Sequence, residues 1–296
     1  MLTDNTKGAL VMALSMALFT LNDAFMKLLA GQVPLYQILT LRNGAVTLAF
    51  LAVAWGTGAF RRGLSRRDLG LSVLRGVAEV ATAYFFLNAL FNMPLANATA
   101  VLQFAPLTVM LAAALFLGEP IGWRRITAAL VGFCGVMLIV RPGPEGFNLY
   151  AIYTLIAVGC LTMRDIVTRK LSREAPTLLV TSITSGMIFV FYGGLGLVEG
   201  WAPLDGRSGA LIGGAAVMVL GAYLASVQAM RVGEVSFVSP FRYTALIWGL
   251  VLGLVVFGDW PTGLTLLGAA IVVGSGIYSF LREVRVRRRA ALATMH

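Results

Sequence analysis

An all-α polytopic membrane protein, with ten transmembrane helices arranged as two inverted five-helix repeats and both termini cytoplasmic, is the fold class this sequence predicts. Three observations lead there. Hydrophobic residues make up 58% and charged residues 12% of 296 positions, whereas a soluble domain carries roughly a quarter charged residues. Apolar runs of about 20 residues, enough to cross a bilayer core as a helix, recur along the whole chain. Finally, ALFTLNDAFMKLLAGQVP, from Ala17 to Pro34, has a near copy in GCLTMRDIVTRKLSREAP, from Gly159 to Pro176. A single offset of 142 aligns Asp23 with Asp165, Lys27 with Arg169 and Pro34 with Pro176. Recovery of an acid, a base and a proline together argues for an internal duplication.

Ten spans follow in order, at about 8–29, 35–55, 69–90, 96–117, 123–140, 149–170, 177–199, 209–230, 236–257 and 263–282. The first resembles a signal peptide only superficially. Its apolar run exceeds a typical h-region and lacks a small-x-small cleavage pattern at the expected place, so it reads as a retained helix. The connections are short and rich in Gly, Pro and Asn, as in Asn92-Met93-Pro94, Arg141-Pro142-Gly143-Pro144 and Asp259-Trp260-Pro261. They leave no room for an extramembrane domain.

The charges set the orientation. The net charge is +10, from 23 Lys and Arg against 13 Asp and Glu, and most basic residues lie between apolar runs. With a cytoplasmic N-terminus, sixteen basic residues fall inside: Lys7, Arg61, Arg62, Arg66, Arg67, Arg124, Arg125, Arg169, Lys170, Arg173, Arg231 and the tail arginines 282, 285, 287, 288 and 289. Three fall outside: Lys27, Arg141 and Arg207. The imbalance orients the chain. Anionic headgroups account for the basic tail, and no nucleic acid is implied.

The repeat extends further. Ala89-Leu90 and the Gly118-Glu119 turn match Ala229-Met230 and Gly258-Asp259 at an offset of 140. The chain therefore divides into a first five-helix repeat, 1–144, and a second, 145–296, carrying the basic tail. Because five is odd, the second half enters the membrane from the opposite side. Two such halves can open one side and then the other.

The AL…P…A…P pattern running into LGEP between Ala89 and Pro120, with its weaker echo ending in FGDWP, resembles the EamA-type drug/metabolite transporter superfamily. The second half departs from the pattern by carrying Leu246 where the fourth span has Pro106. The resemblance implies a secondary transporter without ATP hydrolysis. Among its branches the chain is most similar to amino acid exporters of the YddG type, which handle aromatic amino acids. The expected function is export of small amphipathic metabolites, amino acids including aromatic ones, from a multi-pass position in the cell inner membrane. S-adenosylmethionine, nucleotide-like or lipophilic-cation cargo is the competing reading, and a channel or intramembrane enzyme is the reading from another class. Anionic phosphosugars would want a denser basic pocket.

No catalytic constellation stands out, since Gly-x-Ser-x-Gly, the Walker loop and His-Glu-x-x-His are all missing from the sequence. The expectation is no enzyme, no cofactor and no metal. Cys134 and Cys160 read as small packing residues in apolar segments, and His296 ends the chain.

Polar groups at membrane depth are costly and usually functional or paired. Glu79 lies near the middle of the third span, with Arg75 one helical turn earlier. It is either a self-neutralised acid or a protonatable or ammonium-binding one. Arg42 has no acid within a turn, and an Arg42–Glu79 bridge is expected. Tyr84 and Asn88 follow on the third span, then Asn97, Gln103 and Pro106 on the fourth. A proline there frees a carbonyl and kinks the helix toward a cavity. The matching regions of the second half carry Tyr223 and Gln228, then Ser239, Pro240, Arg242 and Tyr243. Arg242 either answers a substrate carboxylate, snorkels or pairs. Tyr243 and Trp248 are placed to stack on a planar substrate. Asn22 and Asp23 keep a claim on the cavity, giving candidate substrate contacts at Asn22, Asp23, Arg42, Glu79, Tyr84, Asn88, Gln103, Tyr223, Gln228, Ser239, Arg242 and Tyr243. Lys27 and Arg169 read as gate or helix-end groups, each spaced to close locally on Asp23 or Asp165 by an i,i+4 contact or to bridge to another helix when its side shuts. Small residues, Ala128 and Gly132 in the fifth span, Gly249 and Gly253 in the ninth and Gly268, Gly274 and Gly276 in the tenth, allow close helix contact. Resemblance implies that the fifth and tenth helices pack together as a scaffold. The chain is expected to be a monomer whose partners are a small-molecule substrate and the bilayer.

Overall fold

A computed structural model describes residues 4–61, 63–118, 122–140, 149–172, 174–232 and 235–293. Among them the regular structure is helical: α1 Asp4–Leu28, α2 Leu35–Gly56, α3 Arg66–Asn92, α4 Leu95–Leu102, α5 Ala105–Leu117, α6 Trp123–Val140, α7 Leu149–Arg169, α8 Thr177–Glu199, α9 Gly206–Val232, α10 Val235–Val238, α11 Thr244–Phe257 and α12 Gly263–Ala293. A 3₁₀ turn, Ser239–Tyr243, joins α10 to α11. Nine stretches among the described residues are long and apolar enough to cross a membrane, counting Leu95–Leu117 and Ser239–Phe257 as single spans. Ile126–Val140 is a shorter apolar helix in the place of the fifth span. The protein is a polytopic helical membrane protein.

Sequence explains where the helices start. Pro34 and Pro176 precede α2 and α8, where a ring with fixed φ suits a helix entry. Ser65 caps α3, accepting the Asp68 N–H at 3.0 Å. Asp205 caps α9, accepting the Ser208 N–H at 2.9 Å, and these bonds hold its carboxyl below the usual range. The two caps sit 140 residues apart with serine and aspartate exchanged. α5 and α11 also end alike, on Gly118 and Gly258 at φ 66° and 69°, a left-handed turn that glycine enters without strain. Glu119, Pro120 and the 141–148 connection lie outside the described residues.

The fourth and ninth spans are both broken. Pro106 lacks an N–H, so the carbonyl of Leu102 loses its helical partner, and α4 gives way to α5 across Gln103-Phe104. Leu246 takes the corresponding place in the second half, yet Pro240 interrupts that span six residues earlier in the 3₁₀ turn. The missing second proline is thus replaced by another upstream.

The spans pair in a regular way. α1 packs chiefly on α9, α3 on α7, α2 on α8 and α6 on α12, and α4 crosses α11. Numbered as spans, exchanging each with the one five later maps this set of pairs onto itself. Polar hydroxyls stitch the interior: Ser15 donates to the Ala222 carbonyl at 2.7 Å, Thr47 to Ser185 at 2.9 Å and Tyr192 to the Val80 carbonyl at 3.0 Å. Large apolar residues such as Leu48, Trp55, Leu115, Val190, Leu197 and Val255 face outward, the inverse of a soluble surface and suited to lipid.

Small residues carry the closest approaches. A Cβ on Gly268 would stand 2.5 Å from the Gly135 carbonyl oxygen, and one on Gly135 would stand 2.7 Å from that of Gly268. α6 and α12 therefore meet backbone to backbone, with Gly132 against Leu107 and Ser275 one turn away. Gly249 packs on Thr99 where α4 crosses α11. Two expectations need correcting. Gly274 faces open space, and Cys134 is exposed on the outer face of α6; the tight contact uses Gly135, one helical turn along a different ridge.

Candidate functional site

A cavity of about 1390 Å³ lies within the bundle. It is lined from α1, α2, α3, the broken α4–α5 span, α7, α8, α9, the 3₁₀ turn and its neighbours, and α12. α6 contributes none of these residues, and its close packing on α12 makes it support for the wall behind. The apolar wall includes Phe19, Phe86, Leu87, Leu161, Ile188 and Phe280. Onto this surface project Asn22, Asp23, Arg42, Glu79, Gln103, Tyr223, Ser239, Arg242 and Tyr243, together with Arg164, Asp165 and Arg169.

The charges form a chain. Arg164 on α7 reaches Glu79 on α3, with Nη1 at 3.1 Å from Oε2 and 3.4 Å from Oε1. Its Nη2 lies 2.7 Å from Oδ1 of Asp165 and its Nε donates to the same oxygen at 2.9 Å. One guanidinium thus serves two carboxylates through its fork. Across the cavity, Arg42 Nη1 donates to Asn22 Oδ1 at 3.2 Å, and Asn22 Nδ2 donates to Asp23 Oδ1 at 3.0 Å. Among the described residues the Arg42 Nε and the Thr99 hydroxyl are buried without a hydrogen-bond partner.

This overturns the expected Arg42–Glu79 bridge. α3 packs along α7, which delivers Arg164 to Glu79 directly, whereas α2 packs on α8 and α9 and its Arg42 reaches across to Asn22 on α1. Arg75 does not close on Glu79 either; it donates to Thr168 at 3.0 Å and to Thr184 at 2.5 Å. Of the two alternatives for Lys27, local closure on Asp23 or a bridge to another helix, the structure shows the bridge. Lys27 donates to the carbonyls of Leu90 at 3.0 Å and Met93 at 2.5 Å and lies 5.3 Å from the Phe257 ring centroid. Asp165 pairs with Arg164, its sequence neighbour, and Arg169 lines the cavity. Free carbonyls at the end of α3 offer a cation more than the half-buried Asp23 carboxylate, already engaged by Asn22, does.

Of the twelve candidates, Tyr84, Asn88 and Gln228 fall outside the cavity. Tyr84 is 44% exposed and packs edge-on against Phe85, while Asn88 donates to the Tyr84 carbonyl at 2.8 Å. Gln228 is exposed on α9. Helical rotation puts them on outward faces, which polarity and depth alone do not encode. The structure adds Arg164 and Asp165 to the nine that remain. A signal for Arg164 existed, because the 142-residue offset sets it at the place of Asn22.

The residues around Lys27 are packed together and take no part in the cavity lining. Lys27 ties α1 to the end of α3 and to α11, above a packed cluster containing Met26, Leu29, Val33, Ile38, Leu90, Met93 and Leu95. Lys27→Met should remove charge-assisted bonds and favour opening there by about tenfold. The readout is labelling of a cysteine at Leu87, in a background lacking Cys134 and Cys160, by an impermeant maleimide added from the Lys27 end. Unchanged labelling would remove Lys27 from the closure.

The model of the EamA-like transporter family matches residues 6–141 and again 148–281. The chain belongs to this family. A riboflavin transporter of Vibrio cholerae is 29% identical over 248 residues, 83% of each chain. An S-adenosylmethionine uptake transporter of Rickettsia felis is 24% identical over 93% of both chains. The pseudopaline exporter CntI of Pseudomonas aeruginosa is 24% identical over 90% of this chain and 93% of its own. A crystal structure superposes with a TM-score of 0.63 at 17% identity, covering 95% of this chain and 98% of the other, which shows a shared fold. In this EamA-like chain the cavity, broken spans and the charges lining the cavity belong to a small-molecule transporter.

Proposed function

We propose that the chain is a secondary transporter that moves small amphipathic metabolites across a bacterial inner membrane by alternating access around the cavity. The observation carrying this reading is a large chamber with an apolar wall and charged side chains open to it, bounded on one side by Lys27 and the packed cluster beside it. Halves 1–144 and 145–296 in inverted orientation, with both termini cytoplasmic, supply the movement. The span pairing, the exchanged caps at Ser65 and Asp205 and the doubled family match support such halves. In this reading the protein works as a monomer without catalytic chemistry.

Amino acids, including aromatic ones, are one substrate class. They suit Phe19, Tyr223 and Tyr243 as ring contacts, and their export is the direction the sequence resemblance suggests. A second class, larger heteroaromatic metabolites of the size of riboflavin or S-adenosylmethionine, is favoured by volume. About 1390 Å³ exceeds the roughly 300–1,000 Å³ typical of pockets for drug-sized ligands. Proteoliposome counterflow with labelled tryptophan, riboflavin and S-adenosylmethionine tests the reading. Saturable counterflow of any of them supports a carrier. Non-saturable flux would indicate a channel, and cleavage of a lipid without counterflow would indicate an enzyme.

A further inference from the structure

A groove of about 310 Å³ lies on the lateral face of the bundle, between α6 and α12. α12 separates it from the chamber: Gly276, Ser279 and Phe280 line the chamber, whereas Ser275 and Tyr278 line the groove. The two helices touch at Gly135 and Gly268 and again where Gly132 meets Ser275, so they run antiparallel. Beyond that contact, toward the start of α6, the groove opens between them. Buried Ala128 and Ser275 form its floor, and exposed Thr127, Val131 and Tyr278 form its walls.

The end of the groove is basic and aromatic. Arg124 lies beside the exposed Trp123, its Cζ 5.3 Å from the ring centroid. On α12, Ser275, Tyr278, Arg282 and Arg285 follow at spacings of three, four and three, which puts both arginines on the face that carries the groove. Among the described residues no carboxylate lines it. Helix length is a second reason for headgroups to be drawn here. The apolar part of α6, Ile126–Val140, rises about 22 Å at the helical pitch, short of a hydrocarbon core of about 30 Å. A span that short thins the bilayer beside it, which brings lipid phosphates to the level of Arg124. We propose that the groove binds one anionic phospholipid, with an acyl chain on Ala128, Val131 and Ser275 and the phosphate held by Arg124 and Arg282. Basic clefts between membrane helices select negative headgroups, and in the orientation proposed above this end lies in the cytoplasmic leaflet.

Native mass spectrometry of the full chain in detergent, titrated with phosphatidylglycerol and with phosphatidylcholine of identical chains, tests this. One phosphatidylglycerol should bind about 25-fold more tightly than phosphatidylcholine, a factor of about five for each arginine. Arg124→Gln should leave about a fivefold preference, and Arg124→Gln with Arg282→Gln should leave none. Thr127→Trp, on an exposed wall, should fill the groove and abolish the tight adduct with every arginine in place and the melting temperature unchanged. Val131→Trp, one turn along the same wall, should do the same. Equal affinity for the two lipids overturns the proposal. So does a preference that survives the double arginine variant, or one that survives both tryptophans, which would place headgroup attraction on the basic surface in general. A dimer that the tryptophan variants dissociate would assign the groove to a second copy of this chain and overturn the proposal as well.

Discussion

Glu79→Ala is expected to abolish transport and to destabilise the folded protein by about 1–3 kcal/mol, less than breaking a fully buried ion pair costs, because both side chains are partly open to the cavity. Arg164 would keep only Asp165, and the α3–α7 contact would lose the one ion pair that joins these two helices among the described residues. Detergent thermal melts and proteoliposome counterflow measure the two effects separately. Adding Arg164→Met to Glu79→Ala should recover stability, since removing both partners relieves the orphaned charge, while transport stays lost. Wild-type transport by the double variant would show that the pair serves folding alone. Glu79→Gln separates coupling from framing. Loss of accumulation driven by an imposed pH gradient, with counterflow intact, would assign proton coupling to Glu79. Because Arg164 spans both its oxygens, the expected result is loss of counterflow as well.

Gly268→Leu is expected to have the largest effect on folding away from the cavity. Its Cβ alone would crowd the Gly135 carbonyl and the side chains of Ile139 and Leu138. A backbone oxygen cannot rotate away, so α6 and α12 must separate, at about 3 kcal/mol or at the upper end of overpacking costs. Low membrane yield and a large fall in melting temperature should follow. Gly274→Leu, facing open space on the same helix, should be nearly silent. Equal loss in both variants would show that α12 is sensitive to bulk in general, and the Gly135–Gly268 crossing would lose its special role.

Much of the fold was legible because lipid imposes simple rules. Runs such as Leu149 to Arg169 and Thr177 to Glu199 must be helices, since nothing in a bilayer satisfies the main chain of an open segment. The break of the fourth span was legible in Pro106 for the same local reason. Cavity membership was less legible. Gln103 and Tyr223 face the chamber while Tyr84 and Gln228, similar in chemistry and depth, face outward. Rotation about the helix axis and the identity of the neighbouring helix decide this, and neither is local. Ion pairing was least legible: Glu79 had Arg75 four residues away and Arg42 at similar depth, and it pairs with Arg164 instead.

By itself the sequence determined that this chain is a bundle of membrane helices, that it carries a duplicated motif around Asp23 and Asp165, and that charges lie buried where lipid would not tolerate them alone. Only the tertiary structure decided which of those charges meet. Helix formation depends on bonds within four residues, whereas a salt bridge depends on which of several helices lies alongside. The packing of α3 on α7 gave Glu79 to Arg164, and the approach of α1 to the end of α3 gave Lys27 the carbonyls of Leu90 and Met93.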